Sequence, residues 1–124
     1  MTTVKYEAAV ISVGEMADAF AAEGILVFFG EEAPEELHEF AILIDHDTLH
    51  APVEAGDILQ IGTEPYPVLC VGDVANENLA ALGHLVVKFN GRTEPELPGD
   101  VSVPEVPAPN VTPGTVVRIL KGEH

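Results

Sequence analysis

Six short apolar runs, GILVFFG (24–30), FAILI (40–44), DILQIG (57–62), YPVLCVG (66–72), HLVVKF (84–89) and VVRIL (116–120), are punctuated by glycine, proline and acidic residues. Each is short for a helix, carries β-branched residues and is flanked by turn formers, so the spacing predicts strands. Many short strands imply a mainly β fold, a small closed or partly open β-barrel with one or two short helices. Length sets the scale. The 124 residues suffice for one core and are few for two, so residues 1–124 are expected to form a single domain.

Inside this pattern lies an echo. VEAGDILQI (53–61) and VTPGTVVRI (111–119) share V-x-[A/P]-G-[D/T]-x-[L/V]-x-I, which predicts two similar glycine turns, each launching a strand. The helices are expected at GEMADAFAAEG (14–24), between glycines, and over 74–82. The second would start from Asp73 as N-cap, place Leu79 and Leu82 on one side and stop at Gly83. A further turn is expected at APEEL (33–37), with Pro34 at its first helical position. From Glu94 to Pro113 the chain carries Pro95, Pro98, Pro104, Pro107, Pro109 and Pro113. That stretch is expected as an extended edge or covering loop and not as a central strand.

The charge balance excludes some functions. Lys5, Lys88, Arg92, Arg118 and Lys121 face 21 acids, for a formal charge of −16. Such a field repels phosphate backbones and anionic lipid, so no nucleic acid and no direct membrane partner is expected, while a basic protein surface fits. No run is long enough to span a bilayer and MTTVKYEAAV lacks the features of a secretory signal, so a cytoplasmic protein is expected. The one cysteine, Cys70, can form no internal disulfide and reads as a small core residue.

Five histidines remain. His38 and His124 read as solvated, and His50 reads as closing a turn before Ala51-Pro52. The stretch FAILIDHDTLH (40–50) drives an apolar strand into His46 between two aspartates. If that strand continues, His46, Thr48 and His50 share a face. Two imidazoles at that spacing would still need a third and fourth ligand, and thiolate clusters and HExxH are absent, so no metal and no cofactor is expected. The other use of an imidazole is nucleophilic: its ordinary pKa leaves one nitrogen free near neutrality while a partner on the second fixes the tautomer. Asp45 or Asp47 are the candidates for that partner. A transferring phosphoryl group also needs donors for its oxygens, and with so few cations those would be backbone N–H groups or a partner's arginine.

Read together, APEEL (33–37), AGDILQIG (55–62), YPVLCVGDVANENLAALGH (66–84), KFNG (88–91), ELPG (96–99) and PGTVVRIL (113–120) resemble the glucitol/sorbitol-specific IIA component of the bacterial phosphoenolpyruvate-dependent sugar phosphotransferase system. The resemblance runs almost end to end. It implies a small, mostly β, cytoplasmic phosphocarrier. Such a protein takes a phosphoryl group on histidine from the histidine-containing phosphocarrier protein and passes it to the IIB domain of a sorbitol transporter, meeting the membrane only through the transporter's IIB/IIC components. The usual acceptor position falls on Ile44 and a second family histidine on His46; His84 matches a histidine kept after the helix and is expected to assist the acceptor. Isoleucine cannot carry phosphate. Either a two-residue slip, which keeps the strand face, makes His46 the acceptor, or the chain is a degenerate relative that binds a partner or small ligand without transfer. Exposed strand edges leave a homodimer possible.

Overall fold

The structure, a computed structural model, describes residues 3–122; His124 lies outside them. In chain order the elements are β1 (Val4–Val13), α1 (Ala17–Ala22), β2 (Ile25–Gly30), a 3-10 turn (Glu35–Leu37), β3 (Ile42–Ile44), β4 (Ile58–Ile61), β5 (Glu64–Pro67), β6 (Cys70–Val71), α2 (Ala75–Leu82), β7 (Leu85–Phe89), β8 (Asp100–Val103) and β9 (Val116–Leu120). The strands form a half-barrel sheet in the order β5-β4-β9-β1-β3-β2-β7-β8-β6. The fold is mainly β, as the apolar runs predict. Strands β4, β7 and β9 alternate buried and half-buried residues, and their inward faces meet in one core that includes Tyr6, Leu26, Phe28, Leu59, Val87 and Ile119. Fully burying one such large side chain contributes about 1.5–3 kcal/mol.

The sequence echo is a structural repeat. Gly56 and Gly114 take φ of 96° and 95°, a conformation that costs glycine nothing. In each turn a backbone bond closes the loop, Asp57 N–H to Glu54 O at 3.1 Å and Thr115 N–H to Thr112 O at 3.0 Å. In each, the residue after the glycine reaches back with its side chain: Glu54 N–H donates to Asp57 Oδ2 at 2.8 Å, and Thr112 N–H to Thr115 Oγ1 at 3.2 Å. The strands they launch, β4 and β9, lie antiparallel side by side, with Leu59 opposite Ile119.

Two of the few cations, one buried and one half-buried, sit beside buried aspartates. Lys5 and Asp57 are 5% and 0% exposed and meet at 2.7 Å; Asp57 also accepts Gly122 N–H. Lys88 meets Asp100 at 2.8 Å, and Asp100 accepts Leu97 N–H. Buried carboxylates satisfied in this way fix the turns that supply the N–H groups. Lys5 is the extra residue of a bulge in β1, between the pairs Val4 to Leu120 and Tyr6 to Ile119. The bulge lets consecutive residues Lys5 and Tyr6 both be buried, each with its own polar partner.

Several expectations are corrected. The proline-rich stretch contains β8, an interior strand parallel to β7 and antiparallel to β6, with all four residues buried. Between Pro98 and Pro104 lies a proline-free stretch long enough for those four residues, so the prolines bound a strand instead of preventing one. The run 66–72 splits between β5 and β6. Val74, not Asp73, is the N-cap of α2, without a side-chain cap, while Gly83 ends the helix with φ 67° as anticipated. Leu79 is buried, but Leu82 is 50% exposed. Pro34 caps the 3-10 turn instead of starting it. Just past edge strand β5, Val68 bonds inward with both of its backbone groups, its N–H donating to Asp57 O and its carbonyl accepting Gly56 N–H. Alternation then turns positions 65 and 67 outward, and both are proline, so that edge offers a second copy no N–H to pair with.

Candidate functional site

Strands β2 and β3 are parallel, with Gly30 beside Ile44 at their C-terminal ends. Beyond those ends the chain loses regular structure: β3 stops at Ile44, and residues 45–50 follow β1 only loosely, through Asp45 N–H to Ala9 O and His50 N–H to Lys5 O. The expected shared strand face of His46, Thr48 and His50 is therefore absent. His50 is exposed, whereas the half-buried His46 turns its ring against the body of the protein.

Two glycines make room for that ring. A Cβ on Gly83 would lie 2.8 Å from His46 Cβ and 3.0 Å from Nδ1, and one on Gly30 would lie 3.1 Å from His46 Cβ. Both His46 nitrogens are held. Nδ1 is 2.7 Å from the Tyr6 hydroxyl, with the rings stacked at 5.8 Å. Nε2 is 3.1 Å from the carbonyl of Ala80 in the last turns of α2. A carbonyl only accepts, so at rest Nε2 carries the proton and Nδ1 accepts from Tyr6. Neither Asp45 nor Asp47 holds the ring, contrary to expectation: Asp45 Oδ1 accepts Ala9 N–H, and Asp47 Oδ1 accepts Thr48 N–H at 2.7 Å. Burial pushes the Tyr6 phenol up to about 12; the Asp47 N–H beside it pulls the other way, and the charges of Asp45 and Asp47 add to the rise. The phenol therefore stays neutral near pH 7.

His46 forms one wall of a cleft of about 310 Å³ lined also by Phe29, Gly30, Glu31, Glu32, Asp45, Ala81 and Leu82. Among the described residues its electrostatics are uniformly negative: three carboxylates and the C-terminal end of a helix dipole, with no lysine or arginine in the lining. A second cavity, of about 320 Å³, takes Leu26 at the start of β2 instead of its end, and is lined mainly by α1 and residues 107–111 with no histidine.

His84 sits behind the cleft wall. Its Nδ1 donates to Phe28 O at 3.2 Å, and its ring packs on Phe29 at 4.5 Å, so it reaches the cleft through Phe29. His38 is anchored to Ala33 O at 2.9 Å. Ile44 is 1% exposed, inside the core, so position 44 offers a visiting protein no surface. Among the described residues no three His, Cys, Asp or Glu side chains gather to hold a metal ion.

The family model of the PTS system glucitol/sorbitol-specific IIA component matches residues 5–118. The chain belongs to that family. Curated glucitol/sorbitol-specific EIIA components of Shigella flexneri and Escherichia coli are each 34% identical over 116 residues, 94% of this chain and 94% of theirs. A crystal structure of a PTS system IIA component from Enterococcus faecalis superposes with a TM-score of 0.77 at 28% identity, covering 90% of this chain and 96% of that one. Being a IIA component makes the chain part of a phosphotransferase system, and no helix among the described residues is long and apolar enough to cross a membrane.

What the sequence concealed is the support around His46. Tyr6 falls on the inward face of β1 with Ala8 and Val10, where its apolar neighbours make it look like simple core. Gly30 and Gly83 are identifiable as turn or cap residues; that both open space for one imidazole emerges only from three-dimensional packing.

Proposed function

We propose that the protein is a phosphocarrier that takes a phosphoryl group on His46 from the phosphohistidine of the histidine-containing phosphocarrier protein and passes it to the IIB domain of a sorbitol/glucitol transporter. The observation that carries this reading is that, among the described residues, His46 is the only histidine lining the 310 Å³ cleft, in a chain whose family is built for phosphotransfer. Neutral imidazole is a competent nucleophile toward phosphorus near pH 7. The cleft provides no cation for the phosphoryl oxygens, so the visiting protein must bring them. Basic side chains next to its phosphohistidine would meet Glu31, Glu32 and Asp45 and at the same time neutralise the transferring group. His84 keeps a supporting role, bracing Phe29 in the wall behind the reacting ring.

Incubation with phosphoenolpyruvate and the two general phosphotransfer proteins tests the reading. The wild type is expected to take an acid-labile, base-stable phosphate that is lost in His46→Ala and retained in His50→Ala. A wild type that takes no label, with both general proteins active, would make the chain a binding relative without transfer.

A further inference from the structure

We propose that Tyr6 is a positioning residue that selects Nε2 of His46 as the atom taking the phosphoryl group, an inference that rests on the carrier reading above. The two ring nitrogens face different surroundings. Nδ1 points at a hydroxyl 2.7 Å away on a tyrosine only 1% exposed, so a phosphoryl group there would have to displace a core side chain. Nε2 points toward Ala80, next to Ala81 and Leu82 of the cleft lining. Only that side has space and solvent.

A phenol suits the position because its oxygen donates or accepts. At rest it donates to Nδ1 while Nε2–H is held by the Ala80 carbonyl. For transfer, the phosphoryl group must replace that carbonyl, and the ring must carry its proton on Nδ1. Exchange with cleft water moves the proton, with no net change in charge, and the Tyr6 oxygen then accepts Nδ1–H. The lone pair of Nε2 forms the new N–P bond as the donor's P–N bond breaks. The bonding electrons return to the donor imidazole, which keeps the proton on its other nitrogen and leaves neutral. His46 is left with phosphoryl on Nε2 and a proton on Nδ1, still bonded to Tyr6. A phenol kept neutral by burial can fill both roles across the physiological range, which a carboxylate could not.

Long-range proton–nitrogen correlation spectra test the assignment. In the unlabelled wild type, His46 is expected as a single tautomer with its proton on Nε2. In the phosphorylated wild type the phosphoryl group is expected on Nε2, and a phosphoryl group on Nδ1 would overturn the proposal. Tyr6→Phe keeps the packing ring and removes the hydroxyl. It should label about tenfold more slowly, the worth of one lost hydrogen bond, while the unlabelled His46 nitrogen shifts move to tautomer-averaged values. A folded Tyr6→Phe with wild-type rate and wild-type nitrogen shifts would overturn the proposal equally. If that variant does not fold, the tautomer and phosphorylation isomer of the wild type decide alone. If the wild type takes no label, the carrier reading fails separately, and the tautomer spectra of the two unlabelled proteins still decide whether Tyr6 governs the ring.

Discussion

Around β4 and β9 the chain makes the same turn twice, ties each loop with a side chain from the residue after its glycine, and braces the pair with the buried Lys5–Asp57 contact. Around His46 nothing repeats. Six residues from Asp45 to His50 lack regular structure, and the His46 ring is held by a phenol from β1, a carbonyl from α2 and space left by two glycines from different elements. The first region shows how local rules build a scaffold. The second shows how a site is assembled from parts that no local rule connects, on the ends of strands the scaffold keeps still.

The largest expected effect of any single change lies in the scaffold. Asp57→Ala would leave Lys5 buried without its carboxylate and unpair the N–H groups of Glu54 and Gly122, costing about 3–5 kcal/mol; Asp57→Asn, which keeps an acceptor, should cost less. Denaturant unfolding of both variants checks the order. Although burial alone would raise the Asp57 pKa, the Lys5 ammonium and the Gly122 and Glu54 N–H groups outweigh it and hold the carboxyl below its ordinary value. Its stabilisation is therefore present above the pKa of the unfolded chain and is lost as pH falls through the folded value. Tyr6 in the site works at the other end of the scale. With its pKa raised from 10.0 to about 12, its contribution is complete below 10 and disappears as pH rises through about 12. Wild-type stability measured from acid to alkaline pH should decline at both ends, with Asp57→Asn flattening the acid limb and Tyr6→Phe the alkaline one.

A matched pair of glycine substitutions separates the two regions more sharply. Gly83 and Gly114 both have positive φ, 67° and 95°, so alanine is strained at either, by about 1–3 kcal/mol. At Gly114 the new methyl meets nothing within 4 Å; at Gly83 it meets the His46 ring at under 3 Å. Gly114→Ala should lower stability and leave phosphoryl labelling intact. Gly83→Ala should lower both, because the imidazole must leave its slot. Equal labelling by the two variants would mean that the ring's exact seat does not matter.

How much of this could be read in the sequence follows the same division. All six apolar runs contributed strands, and the echo of 53–61 in 111–119 became a true pair of turns, because period-two burial and glycine chemistry are local. Strand β8 is hard to read because DVSV between prolines is only four residues, and its burial comes from pairing on both sides, parallel to β7 and antiparallel to β6. β1 escaped notice because its inward residues include Lys5 and Tyr6, polar groups whose partners, Asp57 and His46, lie some forty to fifty residues away. His46 itself was readable as the candidate, since it alone follows an apolar strand between two acids. Its tautomer partners were not: the adjacent aspartates were the obvious candidates, but both spend their oxygens on backbone N–H groups.

The smallest expected effect concerns the rim. Glu31 and Glu32 line the cleft with Asp45 and have no role in holding the ring, so their charge should act on the approach of a donor and not on the chemistry. Glu31→Lys and Glu32→Lys should leave stability within about 0.5 kcal/mol of wild type and slow labelling several-fold at low salt. Because exposed charges are screened over about 10 Å at 0.1 M salt, that difference should shrink as salt is added. The loss in Gly83→Ala, which arises from geometry, should persist at every salt concentration. If the rim variants remained slow at high salt, their carboxylates would belong to the reacting site and not to its approach, and the cleft would then do more than admit a basic partner.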